Sequence, residues 1–165
     1  IEVNLEVPLA GRRLLLLGAG GAARGVIAPL LERRPAGLFI ANRTADKAEA
    51  LARQFSDLAA VDAGNLAKTA GRTFDVVINA TSASLSGATL PLPAGIFAPA
   101  SLAYDMMYGK GETPFMALAR EQGAGQLADG LGMLVEQAAE AFFVWRGVRP
   151  DSAPVLVEFR EQLAA

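Results

Sequence analysis

Four leucines run without a break into a cluster of glycines in RRLLLLGAGGAARGV, residues 12–26. An apolar run of this length, bounded by turn residues, reads as a strand buried on both faces, as in a parallel sheet. The residues beyond the glycines change period. Ala23, Val26, Ile27, Leu30 and Leu31 fall at helical spacing and form one apolar face, which predicts a helix over 20–31. A second apolar run over 37–41 then closes a strand–turn–helix–strand unit.

The turn itself fits G-x-G-x-x-A, with Gly18, Gly20 and Ala23 at the key places. Gly18 permits the tight turn, Gly20 lets the backbone approach a pyrophosphate, and Ala23 lets the helix pack closely on the strand. The helix start adds unpaired N–H groups and the positive end of a dipole. A lone motif of this kind is weak, but its position between a strand and a helix is the context that gives it weight.

The second strand breaks into Asn42-Arg43-Thr44, with Lys47 close behind. A dinucleotide-binding unit that prefers NAD usually carries an acid here, to accept from the ribose hydroxyls. Asn42 removes the repulsion that an acid would exert on a 2′-phosphate. Arg43 can hold a phosphate bidentately, Thr44 offers a hydroxyl and a helix cap, and Lys47 adds a second cation. The cluster therefore points to NADP. The bland alternative is a solvated, capped helix start. With 15 basic and 17 acidic residues the net charge is −2, so a positive cluster here is local, and the balance argues against nucleic acid.

Further along, strands are expected at 59–61, 74–79, 101–105 and 125–128, and helices at 45–55, 113–123, 131–146 and 152–163. Residues 82–100, rich in Gly, Pro and Ser, read as a loop. Strands alternating with helices over 165 residues predict one α/β body of Rossmann-like, doubly wound type, with a mainly parallel sheet and helices on both faces. In such a sheet ligands bind outside the carboxyl ends of the strands. Those ends carry Asn79 and Thr81 after one strand, suited to a ribose or nicotinamide or simply to a capped turn. Met106, Met107 and Tyr108 follow another. Gly130, Met133 and Gln137 share one face of the long helix; Leu134, Ala138, Ala141, Phe142 and Trp145 form the stripe expected to serve as core.

The sequence has no cysteine and no histidine. Disulfides, zinc clusters, a Ser-His-Asp triad and histidine acid/base catalysis are excluded, and no metal site is expected. No apolar stretch is long enough to suggest a membrane span, so neither a membrane nor a nucleic-acid partner is expected, and a cytoplasmic location is.

The stretches LLLLGAGGAARGV, ANRTADKAEALA, DVVINATSASLSG, YDMMYGKGETPF and ADGLGMLVEQAAEAFFVWRGVRPD, in this order over nearly the whole chain, resemble the carboxyl-terminal part of the bacterial shikimate dehydrogenase family. The resemblance implies NADPH-dependent reduction of 3-dehydroshikimate to shikimate in aromatic amino acid biosynthesis. It implies that Gly18, Ala19, Gly20, Gly21 and Ala22 hold the pyrophosphate, and that Asn42, Arg43, Thr44 and Lys47 hold the 2′-phosphate and adenine side. Met106 and Gly130, with Met133, are expected at the nicotinamide end, beside Asn79 and Thr81. Tyr108 and Gln137 are expected to face shikimate. Lys47 stands where many relatives carry arginine, which keeps the charge and loses the planar fork.

The family also has a substrate domain with a Lys–Asp pair assigned to proton transfer, and no residue here replaces that pair. The expected organisation is therefore a lead-in from that domain over 1–11, an NADP-binding domain over 12–150 and a closing helix over 151–165 that packs back on the absent part. No catalytic residue is expected in this chain, which is read as a fragment unable to turn over substrate alone and prone to self-association through that helix. A quinate/shikimate dehydrogenase, or a non-catalytic NADP-binding module, are the alternatives.

Overall fold

The computed structural model describes residues 1–83 and 89–164. Six parallel strands form one sheet: β1 (Arg13–Leu17), β2 (Gly37–Asn42), β3 (Val61–Asn65), β4 (Phe74–Asn79), β5 (Phe97–Asp105) and β6 (Gln126–Ala128). Their order is β3-β2-β1-β4-β5-β6, the doubly wound arrangement in which chain direction across the sheet reverses between β1 and β4. Helices α1 (Gly21–Glu32), α2 (Ala45–Arg53), α3 (Pro114–Glu121), α4 (Leu131–Arg146) and α5 (Ala153–Ala164) and a short 3-10 turn, η1 (Leu66–Thr69), complete the described body.

Alternation along the strands builds two cores. Leu14 and Leu16 of β1 point to one face, where Ala23 and Ile27 of α1 and Leu51 of α2 meet them; Leu15 and Leu17 point to the other, which holds Phe115 and Ala119 of α3. All four leucines are essentially buried, as an apolar run in a central parallel strand requires. Leu9 of the lead-in is buried in the first core, with Ile1, Leu5 and Val7 packed beside it.

Three expectations need correction. The third strand lies at Val61–Asn65 rather than 59–61, because register with β2 (Leu38↔Val61 to Asn42↔Asn65) decides the position of a weak edge sequence. The fifth strand begins at Phe97, four residues before the expected start. Its pairing with β4 is interrupted between Phe74 and Val76, where Pro99 and Ala100 (φ 59°) form an irregular bulge that a run of turn-like residues disguises. The predicted loop over 82–100 is thus partly strand, and its residues 84–88 lie outside the described residues.

The third correction concerns α4, whose limits match the expected 131–146 but whose rotation does not. Leu131, Val135 and Ala139 face inward; Leu134, Phe142 and Trp145 are 37%, 45% and 82% exposed. The cause is a backbone contact at the helix start, described below.

At the amino-terminal edge of the sheet, Asp75 ties β4 to β1. It accepts from the Arg13 backbone N–H (2.8 Å) and from the Arg13 guanidinium (3.2 and 3.1 Å). The Arg13 side-chain hydrogen bond holds the Asp75 carboxyl below its ordinary value of 3.8, against a smaller opposing effect of burial. A carboxyl with a lowered folded-state pKa contributes stability above its unfolded pKa and loses it as pH falls through the folded one. We predict that Asp75→Asn costs about 1 kcal/mol at neutral pH, given a pair half open to solvent. Urea unfolding at a series of pH values should show the difference from wild type shrinking once pH drops below about 4.

Candidate dinucleotide site

The carboxyl ends of β1 and β4 form the crevice at the reversal of strand order. Gly18 leaves β1 with φ 110°, its N–H donating to the Ala41 carbonyl (2.8 Å), while the Ala80 N–H donates to the Leu17 carbonyl (2.8 Å). A Cβ on Gly18 would stand 3.0 Å from the Ala80 carbonyl oxygen in a backbone conformation that other residues avoid. Gly20 and Gly21 differ: both are exposed, and a Cβ on either would meet nothing within 4 Å. The turn therefore divides into a residue needed by the fold and two that leave the crevice open. Ala19 is half-buried and Ala22 exposed.

The start of α1 carries no acidic side chain and no side-chain cap. Its first amides face the crevice with the helix dipole behind them, which suits an anion. The start of α2 likewise lacks a side-chain cap. Asn42, half-buried, donates its amide to the Thr44 carbonyl (3.1 Å) and so shapes the turn. Thr44 takes the N-cap position, but its hydroxyl makes no capping bond, contrary to the expected cap. Arg43, Thr44 and Lys47 are all exposed, and among the described residues neither Arg43 nor Lys47 enters an ion pair. Asp46 stands in the first turn of α2. Two cations outside any described ion pair, a hydroxyl without a capping bond and uncapped amides at one helix start have the chemistry that suits an anion.

The end of β4 is organised differently. Asn79 is fully buried: its amide donates to Asp105 Oδ1 (3.0 Å), and its Oδ1 accepts from the Thr81 N–H (3.1 Å) and hydroxyl (2.7 Å). These two side chains form the capped turn that was one of their readings; neither bond serves a ribose. Asp105 also accepts from the Met107 N–H (3.1 Å) and the Thr113 hydroxyl (2.6 Å), and Thr113 in turn caps α3 by accepting from the Met116 N–H (3.2 Å). Asp105 thus organises the loop after β5, a role its neighbours in sequence did not reveal. The register pair Asn79↔Asp105 is the signal that could have found it.

Met106, half-buried, donates its N–H to the Asn79 carbonyl (2.9 Å). Gly130 donates to the Met107 carbonyl (3.0 Å), and a Cβ on Gly130 would overlap the Met106 carbonyl oxygen. That close approach fixes the start of α4 and, with it, the rotation that turns Leu134, Phe142 and Trp145 outward. Met106, Met133 and Gln137 come together on one wall of a cavity of ≈ 960 Å³, which extends beneath the lead-in and along α1, α4 and α5. Tyr108, 43% exposed, does not line it. Tyr104 does; burial pushes its phenol up to about 12, so it stays protonated across ordinary pH. Among the described residues no group of acidic side chains is placed to hold a metal, and no helix is long and apolar enough to cross a membrane.

Comparison with known proteins places this architecture. Residues 2–87 match the family model for shikimate/quinate 5-dehydrogenase, and residues 130–156 match that for the shikimate 5′-dehydrogenase C-terminal domain. The chain belongs to the shikimate/quinate dehydrogenase family. It is 72% identical over all 165 residues to a shikimate dehydrogenase (NADP(+)) of Dechloromonas aromatica, and spans 60% of that protein's length. Among solved structures, an Ael1 enzyme from Pseudomonas putida superposes with a TM-score of 0.87 at 53% identity, over 99% of this chain and 59% of its own. A shikimate dehydrogenase in complex with NADP+ superposes at 0.78 with 30% identity, over 94% of this chain and 56% of its own.

The contrast within the glycine turn is testable. Gly18→Ala should lower stability by about 1–3 kcal/mol through backbone strain, whereas Gly20→Ala should cost under about 1 kcal/mol, the difference between two helix-cap residues. Thermal unfolding followed by circular dichroism would show this order; equal losses would contradict it.

Proposed function

We propose that this chain is the NADP(H)-binding part of a shikimate dehydrogenase that reduces 3-dehydroshikimate to shikimate. The observation that carries the reading is the pair of free cations, Arg43 and Lys47, at the uncapped start of α2, beyond a β2 that ends in Asn42 rather than an acid. The cofactor name carried by the Dechloromonas relative and the complex of the structural neighbour agree with it.

In this reading the open amides after Gly20 hold the pyrophosphate. Arg43, Thr44 and Lys47 hold the 2′-phosphate, with the Arg43 plane free to lie on adenine. Met106, Gly130 and Met133 form the nicotinamide end, where the bound cofactor supplies the hydride. Thr81, half-buried, borders that end, and Asn79 supports it from beneath. Gln137 and Tyr108 look toward the substrate. Proton transfer belongs to a Lys–Asp pair in the part of the longer protein that this chain does not include; Asp105, buried and hydrogen-bonded, is no substitute.

That further part has a suitable surface to cover. The second half of α4 is apolar nearly all round, with Phe142, Phe143, Val144 and Trp145 exposed, and α5 adds Val155 and Phe159. A helix with this pattern belongs in an interior. Leu156 and Leu163 of α5 are half-buried. Without its cover the same surface favours self-association.

Calorimetric titration with NADP+ and NAD+ tests the assignment. Arg43→Ala should weaken NADP+ binding by about 1.5–3 kcal/mol, the scale of a charged hydrogen bond, and leave NAD+ nearly unchanged. Equal losses for the two cofactors would remove the 2′-phosphate role. Gly20→Val should abolish both while the unfolding transition survives; retained affinity would mean that the pyrophosphate lies elsewhere.

A further inference from the structure

Asp129 sits between the end of β6 and the start of α4, with its side chain 4% exposed. One oxygen accepts from the Leu131 N–H (3.2 Å). Both oxygens are engaged by the Arg160 guanidinium from α5: Nη1 donates to Oδ2 at 2.7 Å, and Nη2 donates to Oδ1. The bond to Asp129 also holds the Arg160 guanidinium more firmly charged, partly offset by its own desolvation. A planar fork on a buried carboxylate is the strongest geometry available to such a pair, and removing the cation leaves the acid buried without its partner.

The next residue has no slack. Gly130 is bonded to the Met107 carbonyl and in van der Waals contact with Met106, leaving no room even for a methyl group. Displacement of Asp129 therefore moves Gly130, and Gly130 moves Met106. The α2 cations lie at the far side of the crevice, three strand spacings from β5, or roughly 14 Å, and no described bond links them to α5.

We propose that Arg160 is a positioning residue: through Asp129, the closing helix α5 holds Gly130 and Met106 in the arrangement that receives the nicotinamide half of the cofactor, without touching the adenine half. The proposal rests on the NADP(H) reading above and deepens it. It assigns α5 a part in cofactor geometry beyond covering apolar surface.

The test compares two ligands on this chain. NADP+ spans the whole crevice; 2′,5′-ADP carries only the adenine end and its phosphates. Arg160→Gln should weaken NADP+ by about tenfold, a single-contact scale, and leave 2′,5′-ADP within about twofold. Arg160→Lys, which keeps the charge and loses the fork, should fall between. Circular dichroism at the titration temperature confirms that each variant is folded. Parallel losses for both ligands would mark Arg160 as merely structural and overturn the proposal, as would no loss for either. If wild type bound 2′,5′-ADP as tightly as NADP+, the nicotinamide end would contribute nothing; the proposal would fall while the phosphate reading stood. If wild type bound neither, the cofactor reading would fail, and this proposal with it.

Discussion

The buried contact between Asn79 and Asp105 is the joint on which the crevice depends. Two strands end at the same level because these residues are register partners, and their side chains meet in a place that water does not reach. A buried amide and carboxylate are costly unless their hydrogen-bonding capacity is used. Here the demand is met by groups that each fix something else: the Thr81 turn, the Met107 amide and the Thr113 cap of α3. The Asn79 carbonyl then takes the Met106 amide, and the Met106–Met107 backbone receives Gly130. The polar network is thus less a ligand site than the frame that sets where the loop after β5 runs and how α4 begins.

The crevice shows the opposite economy at its other end. At β4 and β5 the polar groups are bonded to one another; at the starts of α1 and α2 they are left open. Neither helix has a side-chain cap, and among the described residues Arg43 and Lys47 have no acidic partner although Asp46 and Glu49 stand nearby in α2. Glu49 pairs instead with Lys68 (3.6 Å). What sets Arg43 and Lys47 apart from other exposed cations is their place beside the uncapped amides of a helix start, a combination that suits an anion. A phosphate meets both demands at once, satisfying backbone donors and cations together.

Sequence reasoning succeeded where local chemistry decides structure. The switch from a continuous apolar run to helical spacing across GAGG located β1, the turn, α1 and β2 to within a residue or so, because each residue there agrees with its neighbours about the fold. It was weaker where distant partners decide. β3 has a poor strand composition and exists by pairing with β2; the start of β5 is masked by Pro99 and Ala100. The Thr44 cap was expected on residue preference, yet its hydroxyl is left free. Arg160 and Asp129, 31 residues apart, carry no shared local signature at all.

The long helix shows why periodicity can find a helix and still misplace its face. Residues 131–146 are so evenly apolar that several stripes would serve as an inner side. What selects one is a single glycine: with no side chain at 130, the backbone of α4 comes against the Met106 carbonyl, and rotation about the helix axis is fixed from that end. Leu131, Val135 and Ala139 are then buried, Met133 packs against the first core, and the bulky aromatics are turned outward. Turning those rings inward would require rotating α4, and rotation would break the close approach of Gly130 to Met106. The sequence keeps the loop geometry and leaves aromatic surface uncovered. An uncovered aromatic patch of this kind is the surface that association with another surface would bury.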